Sequence, residues 1–192
     1  MEPDVAEFIS AMAAGSGARV MVEVCAESAG RTTLALVAAA QQTGGRVVCV
    51  VAGEEEVRAS VVNLGEEARS GRVELVVGDA GAMLGGADFV LVDCEVGGYE
   101  SVMRAAEEAQ GGGGGGVVVG YNALNKGGWG SGEGVRVDLL PIGTGLRVAR
   151  VAPGGVRRRR RGQWQWVVRV DQCTGEEHVF RVRSPRRKWI EA

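Results

Sequence analysis

Aromatic residues, histidine and long apolar runs are scarce in this 192-residue chain. Tryptophan, tyrosine and phenylalanine make up 5% of it, which argues against a binding platform of stacked rings. His178 is the only histidine and lies far along the chain, so a histidine general base is not expected. No apolar run reaches the roughly 18 residues of a membrane span, and the acidic start MEPDVAEF does not resemble a targeting peptide. We therefore expect a cytoplasmic protein with no membrane partner.

Cysteine is also sparse, and the wide spacing of the four cysteines argues against a disulfide framework. Cys25, Cys49 and Cys94 each lie near the carboxyl end of a predicted strand. Three thiols that face one crevice would form a soft-metal or redox site. Because no Cys-x-x-Cys pair supports such a site, we favour three small residues buried in closely packed strands.

Apolar strands alternate with helical segments through the first 121 residues, and hydrophobic residues form 45% of the chain, enough for one core. Strands that are apolar on both faces predict a parallel sheet with helices on each side. The fold class is therefore α/β, a Rossmann-like, doubly wound and mainly parallel sheet that binds ligands at the carboxyl ends of its strands. The predicted strands are 19–25, 46–51, 73–77, 88–93 and 117–121, and the predicted helices are 5–14, 32–42, 54–68 and 99–109.

Two hairpins are predicted after the parallel strands, an antiparallel C-terminal hairpin of the main sheet and an extra basic β-hairpin. Their strands are 136–140 with 146–151, around the turn PIGTG, and 164–170 with 177–183, around CTGE. We therefore divide the chain into a Rossmann-like domain over 1–151 and a basic loop and hairpin over 152–192, packed on or beside it. The glycine run 111–116 predicts a flexible surface loop.

The net charge of −2 conceals a strong asymmetry. Residues 1–146 hold 9 Lys and Arg against 20 Asp and Glu, whereas residues 147–192 hold 13 against 4. The basic part combines the run Arg157–Arg161 with tryptophans, and arginine with aromatic residues can bind phosphates and stack on bases. Solvated charges that keep edge strands from aggregating are the favoured interpretation, because no recognised nucleic-acid-binding fold accompanies them. A nucleic-acid partner is the alternative.

Six segments in order carry a resemblance to a known family: VEVCAESAGRTTLAL, GGRVVCVVAGEEE, VELVVGDA, ADFVLVDCEVGGYESVM, VVVGYNALNKGGW and LPIGTGLRVARV. This order resembles the class I S-adenosylmethionine-dependent methyltransferases, and among them the cation-dependent caffeoyl-CoA and catechol O-methyltransferases, over roughly residues 5–151. The whole chain, with its WVVRVDQCTGEEHVFRV ending, is still more similar to a plant family of methyltransferase-like proteins of unknown function. The resemblance implies S-adenosylmethionine as cofactor, a small-molecule acceptor, and the homodimer that related enzymes often form.

The resemblance also implies where these groups would bind. The residues at the family's cofactor-contact positions are Glu23, Gly30, Thr33 (or Thr32), Asp79, Ala80 and Asp93. Asp93 and Asn122 stand at positions of the family's metal ligands. A local turn or capping role is the alternative for each carboxylate, with Asp79 opening a turn at Gly81, and for Asn122 a loop-forming role is favoured.

Three positions depart from the family's pattern. Cys25 replaces the first glycine of the strand-to-helix turn, the second strand ends in 51–53 (Val-Ala-Gly) without a ribose-binding acid, and Tyr121 replaces the aspartate that precedes Asn122. Loss of the ribose hydrogen bonds costs about 1.5–3 kcal/mol, or about tenfold or more in affinity, so we expect cofactor binding to be weak or lost. One carboxylate and one amide make a poor divalent-cation site, which makes a metal ion doubtful.

Three functions are consistent with these observations. The first is an S-adenosylmethionine-dependent methyltransferase-like protein, such as a small-molecule O-methyltransferase with degenerate cofactor motifs and no catalytic residue yet assignable. The second is a non-catalytic binding or interaction module, whose crevice is filled by its own side chains, including Cys25 and Val51. The third is anion or nucleic-acid binding through the basic hairpin, and it ranks behind the other two.

Overall fold

The computed structural model describes residues 3–124, 126 and 134–153, together with the backbone of strands 164–170 and 177–183. The chain divides into two compact units, residues 1–156 and 157–192. The helices are α1 (Pro3–Gly15), α2 (Arg31–Thr43), α3 (Glu54–Leu64), α4 (Gly81–Leu84) and α5 (Tyr99–Gly112), with a 3-10 helix (Gly65–Arg69) after α3. The strands are β1 (Val20–Val24), β2 (Arg46–Val51), β3 (Val73–Val77), β4 (Phe89–Asp93), β5 (Gly116–Tyr121), β6 (Val135–Leu140), β7 (Leu146–Val151), β8 (Trp164–Val170) and β9 (Glu177–Arg183).

The first unit is built on a seven-stranded sheet with the order β3-β2-β1-β4-β5-β7-β6. The pairs among β1 to β5 are parallel, whereas β7 runs antiparallel to both β5 and β6. This confirms the predicted doubly wound, mainly parallel sheet with an antiparallel C-terminal hairpin. The winding direction reverses between β1 and β4, and in such sheets ligands bind beyond the carboxyl ends of the strands at this point.

Helices cover both faces of the sheet, because alternate residues of each strand are apolar on both sides. On one face, Met21 and Phe89 pack with residues of α1 and α2 such as Ile9 and Leu36. On the other face, Val22, Val90 and neighbouring valines pack with residues of α4 and α5. We call these the α1–α2 face and the α5 face. Among the described residues, no helix combines the length and hydropathy needed to cross a bilayer.

Several predicted boundaries shift. A four-residue helix, α4, occupies part of the connection that was predicted as a turn between β3 and β4, and the predicted third helix gives way at Gly65 to a 3-10 helix. Gly65 has a positive φ of 56°, a conformation that glycine adopts readily. The segment after β5, predicted as a loop over 121–134, lies mostly outside the described residues.

The glycine run forms a shorter loop than predicted, because α5 continues to Gly112 and β5 begins at Gly116. A Cβ atom on Gly115 would lie 2.8 Å from the carbonyl oxygen of Val151, and one on Gly116 would lie 2.8 Å from that of Asp88 and clash with Gln110. Gly115 also has a φ of +82°. Glycine is therefore required where the run enters the sheet, and only 113–115 form the connection.

The second unit contains β8 and β9, which form a two-stranded antiparallel sheet. Its register runs from Trp164 opposite Arg183 to Val170 opposite Glu177, so the two strands have the predicted bounds. The CTGE turn and the run Arg157–Arg161 lie outside the described residues. The packing of segment 152–192 on the first domain stays a prediction.

Candidate functional site

Glu23, near the carboxyl end of β1, is completely buried on the α1–α2 face. Its Oε2 atom accepts a 2.6 Å hydrogen bond from the Thr33 hydroxyl and lies 3.7 Å from the Cys49 thiol. Its Oε1 atom is buried and accepts no hydrogen bond from the described residues. Burial raises the pKa of Glu23 above its ordinary 4.5, and the hydroxyls of Thr32 and Thr33 oppose this only in part.

Thr33 connects this carboxyl group to the start of α2. Besides donating to Glu23, its hydroxyl oxygen accepts the Gly30 N–H at 3.0 Å. The first-turn threonine thus satisfies one of the backbone donors that a helix N-terminus leaves open. Thr32 is also buried, whereas Gly30 is half-exposed. The structure therefore brings Glu23, Gly30 and Thr33 together, and the side chains of Glu23 and Thr33 are buried.

The turn between β1 and α2 is fixed from the side of α3. The Ala29 N–H donates to the Ser60 hydroxyl at 2.9 Å, and the Asn63 side-chain amide donates to the Ala29 carbonyl at 3.2 Å. Ser60 and Ala29 are both fully buried. These contacts fix the turn at Ala29 against α3.

The three cysteines do not share a crevice. Cys25 and Cys49 lie on the α1–α2 face, whereas Cys94 lies on the α5 face beside Gly120. Contact with Cys49, followed by burial, raises the pKa of the Cys25 thiol, and burial raises that of Cys94 to about 12. Within the described residues no His, Cys, Asp and Glu cluster suits a metal ion. The soft-metal interpretation is thus wrong for these three, which are small buried residues.

The end of β2 has no side chain suited to bind a ribose. Val51 is buried at 1% exposure, and Ala52 is exposed. Glu54 is the first residue of α3, as predicted, a position at which the helix dipole stabilises a negative charge. Cys25, just after β1, and Val51, at the end of β2, are both buried, as the hypothesis of a crevice filled by its own side chains expects.

The end of β3 presents an exposed acid. The Asp79 side chain accepts the Gly81 N–H at 3.1 Å, so it does open the turn into α4. Asp79 is exposed, and Ala80 beneath it is buried against the core of the α5 face. Asp79 therefore stabilises a turn and also leaves its carboxylate open to solvent at the edge.

A short hydrogen-bond chain joins the ends of β4 and β5. Asp93 Oδ1 accepts from the Asn122 amide at 2.8 Å and from the Glu95 N–H at 3.0 Å. Asn122 Oδ1 accepts in turn from the Thr144 hydroxyl at 2.6 Å. Asn122 has a φ of 58°, which asparagine tolerates better than most residues. Asn122 is therefore part of a loop network, and the loop-forming interpretation fits this geometry.

The same chain argues against a divalent cation at Asp93 and Asn122. A hard cation needs free oxygen donors, and both the Asp93 Oδ1 and the Asn122 Oδ1 already accept hydrogen bonds. The Asn122 amide points its donor group, not its oxygen, at Asp93. Tyr121, at the position of the family's aspartate, is 7% exposed, and burial raises the pKa of its hydroxyl. These residues do not fit a metal ion.

Lys126 and Tyr99 also lie at this edge, and neither was singled out from the sequence. The Lys126 ammonium lies 3.2 Å from a Glu95 carboxylate oxygen and 5.7 Å from the centre of the Tyr99 ring. Tyr99 is buried at the start of α5. The only sequence signal was a lysine shortly after β5, in a glycine-rich stretch, which indicates no particular role.

Only some of these residues are suited to bind an adenosyl cofactor. The exposed Asp79 offers an acceptor beyond β3, and the unpartnered Oε1 of Glu23 is an acceptor that lacks a donor. The edge between them lacks an acid at the end of β2. Asp93 is half-exposed, and its second carboxylate oxygen is available to accept a hydrogen bond from a ligand. The candidate site therefore has acidic groups at the ends of β1, β3 and β4 and an apolar gap at β2.

Solved structures with a similar fold include several O-methyltransferases. The Streptomyces achromogenes O-methyltransferase TomG, solved with S-adenosylmethionine, has a TM-score of 0.62 and 19% identity, covering 79% of this chain and 81% of that one. A Bacillus cereus O-methyltransferase in complex with SAH has a TM-score of 0.60 and 19% identity, covering 79% and 82%. A candidate caffeoyl-CoA O-methyltransferase of Staphylococcus aureus has a TM-score of 0.62 and 12% identity, covering 79% and 85%. At these identities the likeness establishes the fold alone.

The predicted resemblance to caffeoyl-CoA-type methyltransferases is thereby confirmed for the fold. No curated protein matches the chain. A family described as a protein of unknown function, DUF1442, matches residues 1–182, and the chain belongs to that family.

Proposed function

We propose that this protein binds S-adenosylmethionine at the carboxyl edge of the sheet and acts, without a metal ion, as a methyltransferase-like protein on a small-molecule acceptor. The fold supports the proposal, since solved structures that share it contain this cofactor or its demethylated product. When bound, the cofactor would supply a methyl group on a sulfonium sulfur for transfer to the acceptor.

The observation that carries the proposal is the unpartnered oxygen of Glu23. A buried polar atom without a hydrogen bond costs about 1–3 kcal/mol, so such atoms are uncommon in folded proteins. Here the atom lies at the carboxyl end of β1, next to the reversal point of the sheet. A ligand donor that reaches it would recover that cost, provided that the turn over 25–30 opens.

Asp79 and Asp93 would bind the two ends of the cofactor on either side of β1. Both follow strands of the same parallel sheet, and both have side chains that reach solvent. Because no acid follows β2 at its tip, the ribose hydroxyls would lose a charged partner. We therefore expect weaker binding than in enzymes that keep this acid, by about tenfold or more.

A second candidate function is a non-catalytic binding module with this fold. One observation favours it: Glu23, Cys25 and Val51 are buried at or below 6% exposure, under a turn held by α3. If this packing persists in solution, the cofactor cannot reach β1. The two candidates differ in whether the turn opens for the ligand.

Calorimetric titration of the full chain with S-adenosylmethionine tests the proposal. We expect saturable binding that an Asp79→Ala variant weakens by about tenfold or more. A Glu74→Ala variant is the matched control, because it removes an exposed acid near the start of β3, the strand that Asp79 follows. Binding should be the same with magnesium and with a chelator. Absence of heat at high ligand concentration would contradict the proposal and favour the non-catalytic module.

A further inference from the structure

Strand β6 forms one edge of the seven-stranded sheet, and β3 forms the other. The backbone of β6 pairs with β7 on its inner side, and no other strand of the described residues pairs with its outer side. The backbone N–H and C=O groups along such an edge form a template on which another strand can pair. The side chains of the edge strand decide which strand that is.

One face of β6 carries two opposite charges side by side. Residues two apart on a strand share a face, and the Arg136 Nε atom lies 3.1 Å from the Asp138 Oδ2 atom. The same Asp138 oxygen lies 3.2 Å from a side-chain nitrogen of Arg150 on β7. The Arg136 side chain is 66% exposed, so its guanidinium group is free to approach a carboxylate beyond the edge as well.

These charges favour one register for antiparallel pairing of β6 with β6 of a second copy. A two-fold axis at Val137 places Arg136 of each copy opposite Asp138 of the other copy. An axis at Arg136 or at Asp138 would instead place two like charges directly opposite each other, which is destabilising. Among the registers centred on residues 136, 137 and 138, the one at Val137 is therefore the self-complementary one.

The same register covers an exposed apolar side chain. Leu139 is 47% exposed and shares the other face of β6 with Val135 and Val137. The axis at Val137 places Leu139 opposite Val135 of the second copy, and cross-strand apolar pairs stabilise a sheet. Both valines also pack against the core of the α5 face, so pairing would extend that core across the axis.

The β3 edge is less suited to pair with itself. Its single charged residue, Glu74, already forms an ion pair with Arg46 of β2. An axis at Val73 would place Glu74 opposite Arg72, but it would also set the rest of β3 against residues 69–72, which do not form a strand. The edge of β6 therefore offers the longer self-complementary ladder.

We propose that the outer edge of β6 is a docking surface for β6 of a second copy of this chain, paired antiparallel about Val137 into one continuous sheet. A contact between two strands lies at the small end of specific interfaces, about 1,200 Å² or less, so we expect a reversible dimer. This surface does not depend on the cofactor site or on the proposed activity.

Sedimentation velocity of the full chain, from micromolar to near-millimolar concentration, tests this surface. We expect a dimer whose fraction rises with concentration. Arg136→Asp and Asp138→Arg should each weaken dimerisation by roughly tenfold or more, because each change opposes like charges twice across the axis. Glu74→Arg makes the same kind of reversal at the β3 edge, so it is the matched control and should leave dimerisation unchanged.

A mixture of the two β6 variants separates the register from a general loss of folding. In a mixed pair, the two substituted residues face each other and the two native residues face each other, so both contacts regain opposite charges. We expect the mixture to dimerise about as strongly as the wild type. The proposal is overturned if the wild type stays monomeric at the highest concentration, if either single variant dimerises as the wild type does, or if the mixture stays monomeric.

Discussion

The two faces of the sheet each bury a glutamate, and they surround it with different partners. On the α1–α2 face, the contacts of Glu23 are the hydroxyls of Thr32 and Thr33 and the thiol of Cys49, and burial raises its pKa. On the α5 face, Glu107 of α5 forms an ion pair with Arg147 of β7, and both side chains are less than a tenth exposed. One face disfavours ionisation of its acid through burial, and the other supplies a positive charge beside its acid.

This difference indicates that Glu23 is suited to bind a ligand, whereas Glu107 is suited to stabilise the fold. Arg147 lies opposite Gly120 in the sheet, so its pair with Glu107 ties the antiparallel strand β7 to the helix layer. Glu23 lies near the carboxyl end of β1, and its Oε1 atom accepts no hydrogen bond within the part of the chain that the structure describes. An acid that is already paired with a buried cation gains little from binding a ligand. An acid whose oxygen lacks a hydrogen-bond donor gains more, because a ligand donor would satisfy that oxygen.

The largest effect in this comparison is expected from Arg147→Met, which leaves the Glu107 charge buried without its cation. The variant should lower the free energy of unfolding by about 3–5 kcal/mol at neutral pH, measured by urea denaturation. The double variant Arg147→Met with Glu107→Leu should recover most of the loss, because it removes both charges. A single-variant loss below about 1 kcal/mol would contradict the claim that the pair is desolvated.

The next effect is a pH dependence that belongs to Glu23. Because the folded-state pKa is raised above 4.5, the unfolded chain releases this proton at a lower pH than the folded chain does. Folded protein therefore binds more protons between the two pKa values, and stability falls as pH rises through that window, then levels off. Glu23→Gln imitates the protonated acid and should lack this fall, so its advantage over the wild type should grow from about pH 4.5 upward.

Urea denaturation at several pH values from 4 to 8 measures this difference. Glu74→Gln, an exposed glutamate on β3, is the matched control and should follow the wild-type curve. Parallel curves for wild type and Glu23→Gln would mean that folding does not raise the pKa of Glu23. In that case the contrast between the two faces would disappear.

Most of the fold could be predicted, because the parallel strands are short apolar runs separated by helices with clear starts. The bounds of β2, β3 and β7 match those predicted from their apolar runs, and Asp79 opens its turn as its spacing from Gly81 indicated. The sequence also indicated that the residues of the candidate site lie at one edge of the sheet, since the carboxyl ends of parallel strands meet there.

The sequence could not show which of these side chains are covered. Glu23 is covered where Thr33 of α2 contacts it, and the neighbouring turn is fixed at Ala29 by Ser60 and Asn63 of α3. The pair of Glu107 and Arg147 likewise joins segments far apart in the chain. Its one signal was an arginine inside the apolar strand LRVARV, which indicates a buried partner but does not name it.

The smallest effect is expected at Thr33, the link between Glu23 and the start of α2. Thr33→Val keeps the shape but removes the hydroxyl that donates to Glu23 and accepts from Gly30, at an expected cost of about 1–2 kcal/mol in unfolding free energy. Thr33→Ser keeps the hydroxyl and should cost less. Loss of this donor also removes an interaction that favours the charged carboxylate, so the pKa of Glu23 should rise further in the valine variant. The fall of stability with pH should then extend to higher pH than in the wild type, and an unchanged upper limit would mean that Thr33 does not hold the Glu23 carboxyl group.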